Sequence, residues 1–142
     1  MSIANYSTEV AAIKSVGEIQ GMLVAHGAQS ILMNYASDKT VESLSFIIDT
    51  PHGEINIRLP VKPEAILKIM EADPGIRPGY CNHEQSVKVA WRILKDWVRA
   101  QMAILETEMV QMEQIFLPYM TMRDGQTLYE VFEQKGNLLT GD

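Results

Sequence analysis

The chain has 142 residues, 46% of them hydrophobic and 21% charged, and a formal net charge of −6 at pH 7. That length suits one domain with a real core, and the acidic balance argues against a general nucleic-acid coat, which needs clustered Lys and Arg. One cysteine, Cys81, excludes an internal disulfide framework, and no apolar run approaches the roughly 18 residues of a membrane span.

MSIANYSTEV lacks the basic and apolar regions of a signal peptide, so the expectation is a soluble, cytoplasmic protein with no membrane partner. Thr8 to His26 reads as a first helix, with Ile13, Val16, Ile19, Leu23 and Val24 at helical spacing and Gly27 placed to end it. His26, at that end, is placed to meet the last carbonyls. Gly17 and Gly21 inside the helix cost roughly 1 kcal/mol each against Ala, which points to close packing on a neighbour.

Three strands follow: Ser30–Ala36, Val41–Asp49 and Gly53–Leu59. Leu44, Phe46 and Ile48 alternate with Ser43 and Ser45; Ile55, Ile57 and Leu59 alternate with Glu54, Asn56 and Arg58. Such alternation implies one buried face and one wet face. Thr50-Pro51-His52-Gly53 is a hairpin turn between the last two. Lys62-Pro63-Glu64 opens a short helix that stops before Asp73-Pro74-Gly75. Residues 73–81, DPGIRPGYC, form a connector and a candidate hinge.

Asn82 to Met120 holds both tryptophans and reads as one helix up to Pro118. Asn82 is a good N-cap, and Gln85 can complete a capping box by reaching back to it. Val87, Trp91, Val98, Met102, Leu105, Met109 and Phe116 fall on one side; Val89, Ile93, Trp97, Ala100, Ile104 and Ile115 fall nearly opposite. Two apolar sides need two covers, and the expectation is a homo-oligomer through Trp91–Phe116.

After Pro118, Met122–Gly125 is a turn, Thr127 and Glu130 make a capping box, and a closing helix ends near Gly136 before the tail NLLTGD, which is expected to fray. The expected fold is therefore α+β: a three-stranded antiparallel sheet packed on helices, then one long helix and a short closing helix. Its parts are an α-β-β-β-α module over 1–72, the connector 73–81, and the two last helices over 82–142, packed as one domain. The order of the first five elements matches a double-stranded-RNA-binding domain, but no Lys-rich helix start follows the third strand.

Between the apolar sides of the long helix runs a polar stripe of Lys88, Arg92, Lys95 and Arg99, then Glu106 and Glu113. Four cations in the first half of a helix oppose its dipole. Three readings fit them: a solvated face, a salt-bridged antiparallel copy of the helix, or an anionic ligand held by the four cations. With Trp91 beside it, the stripe suits a base stacked on an indole and a phosphate on Arg or Lys, although tryptophans on such a helix are more commonly core.

VAWRILKDWVRAQMAILE, FLPYM and DGQTLYEVF resemble uncharacterised proteins of phage and prophage gene clusters over Asn82–Phe132. The resemblance implies a viral or mobile-element origin and a place in the host cell cytoplasm; it carries no activity. Asp49, His52, Glu54, Cys81, His83 and Glu84 are the metal-capable or acid–base residues, but they have no fixed ligand spacing. Cys81 at a helix start is a candidate nucleophile without a placed base. There is no Walker-type loop or GxGxxG, and no cofactor is expected. The preferred expectation is a non-enzymatic, oligomeric binding protein whose anionic partner, nucleic acid or a nucleotide signal, meets Lys88, Arg92, Lys95, Arg99 and Trp91. The opposing expectations are a counter-defence or takeover factor that binds a host protein, and a small metal-dependent hydrolase using His52, Cys81 and His83.

Overall fold

The computed structural model describes residues 1–136; the tail 137–142 lies outside them. The fold is α+β, with a three-stranded antiparallel sheet of order β1-β2-β3. Helix α1 spans Ala12–Ala25, and the strands are β1 (Ser30–Tyr35), β2 (Val41–Thr50) and β3 (Gly53–Arg58). Helices α2 (Pro63–Ala72), α3 (His83–Glu106), α4 (Met112–Phe116) and α5 (Leu128–Lys135) follow.

Helix α3 organises the packing. Asn82 caps it by accepting from the Gln85 N–H at 2.8 Å. The Gln85 side chain does not close the expected box; it donates at 3.0 Å to the carbonyls of Tyr6 and Thr8 instead. Chain that sequence periodicity assigns to the start of α1 is thus drawn away from the helix as a strap. Ile3 and Tyr6 of this strap pack with Met70, Ile76 and Val89, and Tyr6 meets Tyr80 edge to face at 5.8 Å. The connector is anchored by the same cluster through Ile76, so the expected hinge is packed chain.

On its other side α3 sends Val87, Trp91, Leu94, Val98 and Met102 into the main core, against Val16, Ile19 and Leu23 of α1 and Leu44, Phe46 and Ile48 of β2. The Trp91 indole N–H donates to the Val41 carbonyl at 3.2 Å, which ties α3 to the start of β2. Over the first part of the helix both apolar sides are covered within the chain, by α1 and the sheet on one and by α2 and the strap on the other, while Ala100 and Ile104 farther along are exposed. No second subunit is needed to cover Trp91–Val98, and Ile104 and Met109 are the large apolar side chains of Trp91–Phe116 that stay exposed.

The helix also ends earlier than Pro118. Thr107 caps α3, Glu108 takes a left-handed φ of 64°, and the chain reverses into α4. A straight helix would carry Phe116 about 28 Å from Trp97, at 1.5 Å per residue. With the break, the two rings meet edge to face at 5.8 Å, and Phe116 also reaches Phe46 at 5.2 Å. Met109, expected on the apolar side, lies in the break and is exposed.

From α4 the chain runs to the free edge of β3, where the Thr121 N–H donates to the Asn56 carbonyl at 2.8 Å. Helix α5 then opens with the expected Thr127–Glu130 capping box. The start of α1, at Ala12 and Ile13, lies near Tyr35 at the end of β1. Gly17 and Gly21 do not pack closely on a neighbour: nothing lies within 4 Å of where their Cβ atoms would stand. Ser45 is buried rather than wet, since the register sets this short side chain between Leu32 and Arg58.

His26 joins the C-terminal ends of α1 and α3. Its Nδ1 lies 2.7 Å from the Met22 carbonyl and its Nε2 lies 3.0 Å from Glu106 Oε1. Both partners only accept, so only the imidazolium, with two N–H groups, can serve both at once. The Met22 carbonyl first, and then the Glu106 hydrogen bond, raise the His26 pKa above its ordinary 6.5. The sign follows from linkage: this contribution to stability is complete below 6.5 and is lost as pH rises through the elevated folded-state value. Wild type should lose urea midpoint across that window, and His26→Ala should lack this step; parallel pH profiles for the two would contradict the assignment.

Phe46→Ala removes a ring from the centre of the main core and should cost about 3–5 kcal/mol, a large part of a domain's stability. Val24→Ala, at a side chain 59% exposed, should stay within about 0.5 kcal/mol. Chemical denaturation of both variants checks this, and equal midpoints would mean that the core is misplaced.

Candidate functional site

The basic stripe does not act as a unit. Lys95 is 1% exposed, and its ammonium lies 2.7 Å from Asp96 Oδ1 and 3.8 Å from Glu18 Oε2. Arg92 Nη1 lies 3.5 Å from the same Glu18 oxygen. Asn5 of the strap, held at φ 64°, donates to the other Asp96 oxygen at 3.0 Å. The Lys95 hydrogen bond is the main reason that Asp96 titrates below the ordinary carboxylate value. The middle of the stripe is thus neutralised between α1 and α3. Lys88 and Arg99 have no carboxylate partner among the described residues, but eleven residues of helix set them about 16 Å apart. One phosphate cannot bridge them. Trp91, the expected stacking surface, is wholly buried.

Nor do His52, Cys81 and His83 converge. His52 sits exposed in the β2–β3 turn, while His83 lies beside Val41 at the other end of β2, on the order of 30 Å away along the strand. The Cys81 thiol donates to the Met70 carbonyl at 3.5 Å. Among the described residues no three His, Cys, Asp or Glu side chains gather as a metal site.

The strongest site is one that the sequence does not announce: a cleft of about 520 Å³ where the start of α1, the β1–β2 turn and the start of α3 meet. Ala12, Val41 and Val87 form an apolar floor, flanked by Ile13 and Tyr35. Asp38, Lys39, His83, Glu84 and Lys88 stand at the rim. The turn is tight, with the Ala36 N–H donating to the Thr40 carbonyl at 2.9 Å. Lys39 closes it with φ 69°, the left-handed place that glycine usually fills in a three-residue hairpin loop.

The rim charges are not equivalent. Asp38 is engaged by the chain: its Oδ1 accepts from the Thr40 hydroxyl at 2.6 Å and the Thr40 N–H at 3.0 Å, and its Oδ2 lies 3.9 Å from His83 Nε2. The Thr40 hydroxyl leads in holding Asp38 below its ordinary pKa. Glu84 occupies the first turn of α3, where the helix dipole favours an anion. Lys39 and Lys88 have no carboxylate partner among the described residues, so they are the cations left for a ligand.

A second cleft, of about 410 Å³, surrounds Arg58 and α5. There the cation is already used: Arg58 meets Glu130 at 2.8 Å and the Gly125 carbonyl at 3.0 Å. No helix among the described residues is long and apolar enough to cross a membrane. No family model, curated protein or solved structure matches the chain, so the reading of the site rests on its geometry.

Of the expected site residues only Lys88 reaches the chosen cleft as a cation, and His83 joins it as a rim group rather than a metal ligand. Lys39, Tyr35 and Ile13 were missed. The available signal was the lysine at the third place of Ser37-Asp38-Lys39, a turn position that favours glycine.

The buried pairing of Lys95 can be tested by itself. Lys95→Met keeps the length of the side chain and removes the buried charge, while its partners Asp96 and Glu18, 51% and 31% exposed, stay hydrated; it should stay within about 1 kcal/mol of wild type. Glu18→Ala strips two cations of one acceptor and should cost more, about 1–3 kcal/mol. The reverse order in urea denaturation would show that Lys95 is not held as described.

Proposed function

We propose that this chain is a binding protein, phage-encoded as the resemblance over Asn82–Phe132 implies, that takes an amphipathic anion in the cleft at the start of α3. The single observation that supports this is a pair of lysines, Lys39 and Lys88, without carboxylate partners beside an apolar floor. An apolar body would lie on Val41 and Val87 between Ile13 and Tyr35. Its carboxylate, sulfonate or phosphate would meet the two ammonium groups. The cleft volume falls in the ordinary range for small-molecule sites. A nucleotide fits the same description, with its base on the floor and its phosphate at the lysines; sequestering a host nucleotide signal is the counter-defence form of this reading.

The long basic stripe has no part in it beyond Lys88. Titrations with 8-anilinonaphthalene-1-sulfonate and with a fluorescent cyclic mononucleotide, each at two salt concentrations, test the proposal. Wild type should bind at least one probe saturably. Lys39→Gln with Lys88→Gln should weaken that binding about tenfold or more, equivalent to about 1.4 kcal/mol, and flatten its salt dependence. Arg99→Gln should leave it unchanged. No saturable binding of either probe, or equal affinity in the double variant, overturns the proposal.

A further inference from the structure

Among the described residues strand β1 is paired on one edge only, with β2. At the other side of the sheet β3 is closed by Met120 and Thr121. An open strand edge offers a row of backbone donors and acceptors to any strand that reaches it, and proteins guard such edges with charges, proline, bulges or a covering element. Ser30–Tyr35, SILMNY, carries no charge and no proline. Its register irregularity lies only at the end, between Asn34 and Tyr35. Leu32 stands 62% exposed on the outer face.

A second exposed feature lies on α1, whose start adjoins the end of β1. The outward face of α1, away from α3, carries Ile13 at 61% and Val24 at 59% exposure, with Gly17 and Gly21 between them and open space above both glycines. These four positions fall along one line of the helix at spacings of four, four and three residues. Among the described residues nothing covers them.

We infer that β1 pairs antiparallel with β1 of a second copy of this chain, joining two sheets into one of six strands about a two-fold axis. A strand without charges can face itself with no like charges opposed. The contact is isologous, so assembly closes at two rather than extending as a fibre. Strand alternation requires outward residues to oppose outward residues, and pairing the regular part of the strand, Ser30–Asn34, with itself sets the Leu32 side chains of the two copies against each other. On the inner side Ile31 and Met33 continue the apolar layer across the joint. The two α1 helices come side by side above it, where the missing Cβ atoms of Gly17 and Gly21 allow a close approach. The inference does not rest on the proposed ligand: Lys39 and Lys88 lie off the joined edge, although Ile13 and Tyr35 adjoin both.

Sedimentation velocity over micromolar to submillimolar protein tests the assembly directly. Wild type should sediment as twice 16.0 kDa. Leu32→Lys sets two ammonium groups against each other; it should give the 16.0 kDa species with an unchanged circular dichroism spectrum, because the side chain is exposed in one copy. In a Cys81→Ser background, Leu32→Cys should form a covalent dimer under mild oxidation, since directly opposed Cβ atoms lie within disulfide reach. Glu64→Cys, exposed on α2, should not. A wild type of 16.0 kDa throughout overturns the inference; so does a dimer that survives Leu32→Lys and fails to cross-link at position 32.

Discussion

Helix α3 is apolar on two sides, and a helix of that kind cannot rest on the surface of a fold. Trp91 and Val98 require one cover, Val89 and Ile93 another. Each remaining element is explained by which cover it supplies. Helix α1 and the sheet take the first side, locked where the Trp91 indole reaches the Val41 carbonyl. Helix α2, the buried Ile76 of the connector and the strap with Ile3 and Tyr6 take the second. The break after Glu106 belongs to the same requirement. Without it Phe116 would project past the end of the core; with it the ring fills the space between Phe46 and Trp97. The left-handed Glu108 is a local cost, of the order of 1–2 kcal/mol for such a residue, set against the burial of a complete aromatic side chain, worth about 1.5–3 kcal/mol.

Between the two covered sides lies the seam where α1 meets α3, and Lys95 is caught in it. A buried ammonium is tolerable only with partners close by. Asp96 supplies one from the same helix and Glu18 one from α1. Glu18 also meets Arg92, and Asn5 steadies Asp96 from the strap. This network explains why a helix with four cations in its first half is not driven apart by them: two of the four are neutralised inside the fold. It also fixes the alignment of α1 along α3, since sliding one helix by a turn would separate Glu18 from both cations by about 5.4 Å.

Local chemistry made much of this fold legible. The three strands, the Asn82 and Thr127 caps and the proline start of α2 all follow from side chains that act on their own backbone within a few residues. What misled the reading were long-range partners. Gln85 looks like half of a capping box, yet its amide is taken by carbonyls of the strap 77 and 79 residues away. Lys95 reads as a surface cation by spacing alone, because nothing in the pattern of α3 tells that Glu18 will face it. Gly17 and Gly21 suggested a tight internal contact where the chain leaves open space. In the cleft, Lys88 and His83 were visible as residue types; Lys39, Tyr35 and Ile13 join them only through the meeting of three segments far apart in sequence.

The cleft and the open strand edge share their elements. Ile13 begins α1 and flanks the cleft floor; Tyr35 ends β1 and flanks the other side. A second copy laid along β1 therefore touches the same helix and strand that a ligand would press against, without touching the two lysines. Linkage makes any such connection reciprocal: whatever factor ligand binding applies to association, association applies to ligand binding. Its size is limited by how far the β1–β2 turn can shift. Asp38 accepts two hydrogen bonds from Thr40, the Ala36 N–H reaches the Thr40 carbonyl, and Lys39 is already in its strained conformation. If the two sites are coupled, it is this turn, joined to β1 and β2 at its ends, that would have to move.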